Sequence, residues 1–526
     1  DLRVQRQLRE HVDRRHVDYV CVERRCNDHA RCVDGRKRQH NGGGNNHARV
    51  AHVTLDAPPL EWTDAVGRQT GQQYTNAVVS GAASGAIVYD HVFYNVSAQV
   101  GRRSSDLTSL LTGDPFSLQR VGVARDSVTR LVSALSLAGL PLTSGDVPGG
   151  RHTDNASLLA RLDWIPSQTV AGYLVVSARH RRSMASFLGA TAVPGHGGDV
   201  RTSGADVTAT LSAYLPGNYL NDLRLGVRTN ASQSDPYLEL PDVRVRVSSV
   251  FADSSMGTTS LQFGGNPALP RGVRNSGAEL SDQLSWLSVG GKHRVRATVN
   301  ARYDAFSQDQ YSNRRGTYTF NSIADFEANR PASFSRVFVG QNASAGVYTG
   351  SLSLGDEWRP TSRVQILFGA RVDANRFADR PAYNPVADSS FRVRTDFAPR
   401  PVDVSPRVGF SWAFGTNGMT GIPGFGLPWG RIHGGFGAFR NDVAATLIAP
   451  AMLASGLPDG VRQVNCIGAA VPLPDWNAMV GDPSSIPSSC ADTTSTSPFA
   501  STAPNVWLVD RRYAAQKSWR GNLELE

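Results

Sequence analysis

The sequence predicts an all-β chain of antiparallel strands running up and down as a transmembrane β-barrel, and three observations carry that prediction. Apolar and polar residues alternate through segment after segment, the connections between segments alternate short and long, and the segments have the length a membrane-crossing strand needs. Side chains alternate faces along a strand, so each such segment offers one apolar and one polar face to two different surroundings.

In chain order, Val92, Tyr94, Val96, Ala98 and Val100 alternate with Asn95, Ser97 and Gln99. Val207, Ala209, Leu211, Ala213 and Leu215 follow the same rule, and after Pro216-Gly217-Asn218 the chain returns through Leu223, Leu225 and Val227, which reads as a hairpin. The clearest strand runs from Arg294 to Asp304: Val295, Ala297, Val299, Ala301 and Tyr303 share one parity, and Arg294, Arg296, Thr298, Asn300, Arg302 and Asp304 share the other. Its five apolar residues match the outward set of a tilted strand of about 9–11 residues. Val364, Ile366, Phe368, Ala370 and Val372 alternate with Arg363, Gln365, Gly369, Arg371 and Asp373, Leu367 being the exception, and Val408, Phe410, Trp412 and Phe414 alternate with Arg407, Gly409 and Ser411. A hairpin recurs as sequence, LDWIPSQTV at 162–170 and DEWRPTSRV at 356–364, each a strand ending in an aromatic and then a proline turn.

Short turns are expected at 165–169, 216–218, 290–293 and 359–362, and long connections, polar and without structure of their own, at 102–156, 180–205, 307–345, 378–404 and 441–510. In an up-and-down sheet that alternation sends every short turn to one rim and every long loop to the other. Trp164, Trp286, Tyr303, Phe306, Tyr348, Trp358 and Phe377 stand near strand ends, where an aromatic girdle would meet the lipid interface. A short helix is expected over 126–136, ahead of Gly139, inside one loop. The glycines of GIPGFGLPWG and HGGFGAF read as a loose turn and a flattened strand. A soluble or surface-attached β-rich binding or adhesion protein is the alternative that the same alternation allows.

Residues 1–57 stand apart as an atypical basic segment, disordered or foreign to the rest, and residues 58–526 as the barrel portion. Residues 1–50 hold eleven Arg and one Lys against seven acids, so most of the net charge of +9 lies there. The remainder has no basic run with interleaved aromatics, and nucleic acid is not an expected partner. Cys21, Cys26, Cys32 and His29 lack a C-x-x-C pair and do not make a zinc motif. No run of 18 apolar residues occurs, which rules out a membrane helix, and residues 1–30 show no leader pattern. There is no H-E-x-x-H, G-x-S-x-G, phosphate-loop or calcium-loop motif, so neither an enzyme nor a cofactor is expected.

The run FYNVSAQVGRRSSDLTSLL, DPFSLQRVGVARDSVTRLVSAL, RLDWIPS, SLGDEWRPTSRVQILFGARVDANRF, SPRVGFSWAFG and VNCIGAAVPLPDW resembles the barrel portion of TonB-dependent outer-membrane receptors, most of all their Oar-like branch. The resemblance implies a 22-stranded barrel in the lipid of the bacterial outer membrane, closed by a plug. It also implies a TonB energy-coupling partner acting through that plug and an unidentified small-molecule, carbohydrate or peptide ligand. Only about fourteen strands, no plug and no coupling box are legible, and SWRGNLELE ends in mid-pattern, so the expectation is a fragment of a larger barrel. An open sheet in lipid would leave two edges of unpaired N–H and C=O groups.

Two sets of candidate residues follow. Arg294, Arg296, Arg302, Arg363, Arg371 and Arg407, with Asp304 and Asp373, would face the lumen. They would make it positive and suited to anions, unless the charges neutralise one another and those of a plug. Cys466 and Cys490 lie in one long loop of a chain that folds in an oxidising compartment, where a disulfide is expected; free thiols or pairing with Cys21, Cys26 or Cys32 are the alternatives. Closing that 24-residue loop would stabilise by about 3 kcal/mol.

Single cysteines scanned through 294–304 in outer membranes should react with a water-soluble reagent at positions 296 and 302 and poorly at 295 and 299; equal labelling on both parities would contradict the assignment of faces. Val299→Arg, near mid-membrane, should cost about 2–4 kcal/mol.

Overall fold

The computed structural model describes residues 19–20, 47–57, 74–310, 312–338, 341–415, 430–457, 461–491, 500–501 and 506–526. Its strands are numbered β1 to β21 along the chain. One sheet holds fourteen long strands: β2 (Ala48–Asp56), β3 (Tyr74–Val88), β4 (Val92–Asp106), β5 (Gly150–Ser167), β6 (Val170–Ser186), β7 (Gly198–Leu215), β8 (Tyr219–Pro236), β11 (Arg271–Leu287), β12 (His293–Gln310), β15 (Gln341–Thr361), β16 (Val364–Phe377), β17 (Val402–Phe414), β18 (Gly430–Arg440) and β21 (Lys517–Leu525). The two-residue β1 (Tyr19–Val20) pairs with β2. Every neighbour in this sheet is antiparallel and adjacent in order, and β1 and β21 form its two edges. No helix among the described residues is long and apolar enough to cross a membrane.

Register decides which side chains share a face. Val299 stands opposite Leu352 on β15, which stands opposite Val372 on β16, which stands opposite Val404 on β17. These four residues are 40–57% exposed, an apolar row turned outward. The other parity of the same strands carries most of the charges, Asp356 and Arg376 near strand ends being outward exceptions. Trp164, Trp286, Tyr303, Tyr348 and Trp358 belong to the outward set, as a girdle requires. Phe306 and Phe377 do not: both fall on the inward parity and are buried there.

Short connections at 89–91, 168–169, 216–218, 288–292 and 362–363 mark one rim, and those at 107–149, 187–197, 237–270, 311–340, 378–401 and 441–516 mark the other. Several strands, such as the 18-residue β12, are far longer than a hydrocarbon crossing and continue beyond it toward the long-loop rim.

There the structure departs from expectation, because the long connections are not structureless. They build a second sheet in the order β10 (Met256–Gly264), β9 (Asp242–Val250), β13 (Thr317–Phe320), β14 (Ser333–Phe338), β19 (Arg462–Ile467) and β20 (Ala500–Ser501). We call this sheet and its helices the cap. The helix α1 (Pro115–Arg120) precedes α2 (Arg125–Leu137), the expected loop helix, which buries Val128, Leu131, Ala134 and Leu135 in the cap core. Arg130 of α2 makes a two-pronged ion pair, 2.6 and 2.8 Å, with Glu327 at the end of α3 (Ile323–Glu327). Tyr318, Phe320, Phe326, Phe334 and Trp476 form an aromatic cluster at the centre, with Cys466 and Cys490 buried in the same core. Cys466 on β19 is disulfide-bonded to Cys490. The loop composition that suggested little core concealed one spread thinly over several connections.

One boundary also moves. Residues 48–56, set apart above as part of the atypical segment 1–57, are a strand of the main sheet paired along its length with β3. The putting-aside of Cys21, Cys26, Cys32 and His29, and the loose turn assigned to 421–429, lie outside the described residues.

Three connections meet at a buried polar contact in the cap. His196, from 187–197, sits with Nδ1 3.9 Å from Oδ1 of Asp242 on β9. Arg244 Nε and Thr317 Oγ1 on β13 donate to the other carboxylate oxygen at 2.8 and 3.3 Å. Burial pushes the Asp242 carboxyl up to about 6 and depresses the His196 imidazole to about 4. The raised acid contributes stability below its unfolded value near 4 that is lost as pH rises to about 6. The depressed base contributes stability above about 6.5 that is lost as pH falls to about 4. Between these values the two slopes, each at most about 1.4 kcal/mol per pH unit, oppose one another. Hydrogen exchange of β9 and β13 amides, corrected for intrinsic rates, should therefore report nearly constant cap stability from pH 4 to 6. Asp242→Asn should make stability rise with pH over this window, and His196→Asn should make it fall; parallel behaviour of both variants would refute the linkage.

Candidate functional site

The inward face of the main sheet is a continuous polar lattice. Because directly opposed residues of antiparallel strands share a face, the pairs Asp206–Arg228, Arg228–Gly277 and Gly277–Asp304 make one row, and Gly226–Glu279, Glu279–Arg302 and Arg302–Thr349 make the next. Arg228 Nη2 donates to Asp304 Oδ1 at 2.6 Å, and Arg302 Nε lies 2.6 Å from Asp304 Oδ2. One carboxylate thus bridges two guanidinium groups that belong to strands on either side of β11. The guanidiniums lie flat against the wall, and missing side chains make room for them: a Cβ at Gly277 would stand 3.1 Å from Arg228 Nε, and one at Gly204 2.9 Å from Arg179 Nε.

The residues expected in the lumen divide accordingly. Arg294, Arg296, Arg302 and Asp304 occupy the inward parity of β12, Arg371 and Asp373 that of β16, and Arg407 that of β17. Arg371 Nε donates to Asp373 Oδ1 at 2.9 Å, and Arg296 Nη2 is 3.9 Å from Glu357 Oε2, which belongs to the carboxylate that Arg359 also contacts at 2.5 Å. The Arg407 guanidinium stacks 4.5 Å above the Phe439 ring. Arg363 is the exception and must be corrected: it sits exposed in the two-residue turn between β15 and β16, on the short-turn rim. The alternation that placed it inward runs one residue past the end of the strand.

Reading single strands missed the partners. Arg179, Asp206, Arg224, Arg228, Glu279, Asp403 and Arg440 all reach the same face, Arg224 lying 3.6 Å from Glu279 and Arg440 3.0 Å from Asp403. Parity on β6 and β8 would have exposed Arg179, Arg224 and Arg228; Arg440, near the end of its strand, carries no such signal.

Near the long-loop rim a segment of the chain covers part of this wall. After β18 the chain turns inward through Asp442, and Val443, Ala445, Ile448 and Ala449 pack against Phe306, Ala345, Val347 and Phe377, all on the inward parity. Asp442 Oδ2 lies 3.0 Å from Arg302 Nη1. Between this segment and the wall is a cavity of about 490 Å³ lined by Arg179, Asp206, Arg228, Asn230, Arg302 and Asp304, with Phe306 at one side. Acids and bases alternate across it, so the cavity offers hydrogen-bond donors and acceptors together, not a field of one sign.

A family model described as an outer membrane beta barrel domain matches residues 131–526. No curated protein matches the sequence. Among solved structures, the chain is similar to the outer membrane transporter YddB from Escherichia coli, with 11% identity, a TM-score of 0.45, and coverage of 75% of this chain and 44% of that one. It is similar to the siderophore receptor PirA from Acinetobacter baumannii, with 8% identity, a TM-score of 0.41, and coverage of 77% and 44%. For the copper transporter OprC the values are 10%, 0.39, 82% and 52%. The chain therefore spans about half, or less, of the length of these proteins.

Asp304 is the charge on which this lattice turns. Asp304→Ala should destabilise by about 1–2 kcal/mol, because two guanidiniums lose a charge-assisted partner. Arg179→Gln, with no ion pair to break among the described residues, should stay within about 0.5 kcal/mol. Urea denaturation in detergent micelles compares the two; equal effects would show that the bridging carboxylate does not organise the wall.

Proposed function

From the premise that the chain belongs to the outer-membrane β-barrel domain family and resides in the bacterial outer membrane, we propose that it forms the barrel wall of a TonB-dependent receptor of the Oar-like branch. In this reading it takes up a polar ligand from the long-loop side, and energy reaches it from TonB through a plug domain. The soluble or surface-attached alternative loses its ground with that membership, since the exposed apolar rows are then lipid-facing. The observation that carries the proposal is the cavity near the long-loop rim, between the Asp442–Thr446 segment and Arg179, Asp206, Arg228, Arg302 and Asp304.

The chemistry of that cavity bears on the ligand. Paired guanidiniums and carboxylates held flat on rigid strands are preorganised partners for a molecule with its own donors and acceptors, whether a small molecule, a carbohydrate or a peptide. Binding works by exchange: a ligand carboxylate or hydroxyl takes a place on Arg302 or Arg228, and the exposed Asp442 side chain gives way. A role as a receptor asks nothing of these residues beyond binding and release. The sequence resemblance supports the receptor reading, and the folded cap gives it an outer surface that can select what enters.

The test is genetic and chemical together. Deletion of the gene and depletion of TonB should abolish growth on the same nutrient in a panel of metal, sugar and peptide sources, and Arg302→Gln should lower uptake of that nutrient about tenfold, equivalent to about 1.4 kcal/mol of lost binding. Uptake that persists without TonB, or is indifferent to Arg302, would overturn the proposal.

A further inference from the structure

The middle of the outward face carries a residue that lipid alone does not suit. The outward set of β11 runs Trp286, Leu284, Asp282, Leu280 and Ala278, opposite Tyr219, Asn221, Leu223, Leu225 and Val227 on β8 and Val295, Ala297, Val299, Ala301 and Tyr303 on β12. Asp282 is the middle residue of its set, two outward positions from the Trp286 end and two from the Ala278 end, with Leu223 and Val299 on either side. It is thus a carboxyl group at the centre of the apolar band. Asn221 Nδ2 donates to Oδ1 at 2.7 Å, and Asp282 has no other partner among the described residues. Hydrocarbon offers no hydrogen bonds to the remaining acceptor positions or to the second amide hydrogen of Asn221. An ionisable residue at such a depth marks a functional contact.

Directly above lies an apolar groove of about 640 Å³ with a floor of Ala209, Ala278, Ala301 and Gly350, bordered by Leu225 and Tyr303. Small residues let another backbone approach closely, and polar side chains hold membrane-embedded contacts together.

We propose that this patch is an interface with a second copy of the chain. It presents an amide donor and a carboxyl acceptor on adjacent strands, at diagonal register positions, and so complements itself. Two copies inserted in the same direction are related by a twofold axis along the membrane normal, which sets Asp282 of each against Asn221 of the other. The leucines beside the groove supply the ridge that the opposing groove receives. A lipid tail fills the groove equally well but brings no donor or acceptor to the polar pair below.

Photo-crosslinking in native outer membranes decides the matter. The full chain carrying Leu284→p-benzoylphenylalanine should give a product of twice the monomer mass, while the same substitution at Leu162, outward on the distant β5, should give none. Asp282→Leu and Asn221→Leu should each lower the yield at least fivefold, and Asp282→Asn, which keeps a hydrogen-bonding group, should retain most of it. Both leucine variants suit a lipid-facing position, and heat-modifiable gel migration confirms that they fold. A lipid adduct alone, a product with a different protein, no product, or a yield unchanged by Asp282→Leu would each overturn the proposal.

Discussion

In hydrocarbon no water can accept or donate a backbone hydrogen bond, so a chain that crosses there in extended form must pair every strand with its neighbours. Pairing in turn forces side chains to alternate between two environments. The main sheet meets both demands at once everywhere between its two edges, β1 and β21. Rows such as Val299, Leu352, Val372 and Val404 face outward in register, while rows such as Asp206, Arg228 and Asp304 face inward. Strand order, the division of turns into two rims, and the site of the charged lattice all descend from that single requirement.

The cap answers a different demand. Where strands such as β12 outrun the membrane, the wall becomes a stalk in water, and long connections can fold only by burying apolar surface against one another. No one connection has enough. Leu131 and Leu135 come from one, Val243 and Val245 from a second, Tyr318 and Phe334 from a third, and Trp476 and Met479 from a fourth. Pooled, they make a core of ordinary kind, pinned by the Cys466–Cys490 bond. The inward run from Asp442 uses the same economy, resting Ile448 on the side chains that the wall turns away from lipid.

How much of this was legible depended on whether the signal was local. The period of two on β12 identified both faces from the eleven residues Arg294 to Asp304, and the helix in the loop after β4 announced itself by composition and Gly139. Alternation does not say what an apolar face meets, however. The segment DVRVRVSSV alternates as well as any wall strand, yet Val243, Val245 and Val247 are buried in the cap. Phe306 and Phe377 looked like girdle residues by position and are inward by parity. Arg363 failed for the opposite reason, parity continued into a turn. The partners of the charged residues, from Asp442 to Arg179, depend on register between strands far apart in sequence, which no single segment encodes. The same is true of Asp282, whose place among leucines is visible only when β8, β11 and β12 are laid side by side.

The cap sheet is threaded through the wall. Between β10 and β13 the chain makes β11 and β12, and between β14 and β19 it makes β15, β16, β17 and β18. The cap's parallel pair, β9 with β13, and its antiparallel pair, β14 with β19, therefore each join segments that those wall strands separate along the chain. A complete cap thus draws on the chain from β9 through to Cys490, with six wall strands in between. Without β19, β14 keeps a free edge, and without the segment after it the aromatic cluster lacks Trp476, so a molecule whose last long connection has not docked displays an unpaired edge and apolar surface that the finished one covers. An exposed β14 edge is therefore a local mark, readable without reference to the wall, of a molecule whose connections have not all come together.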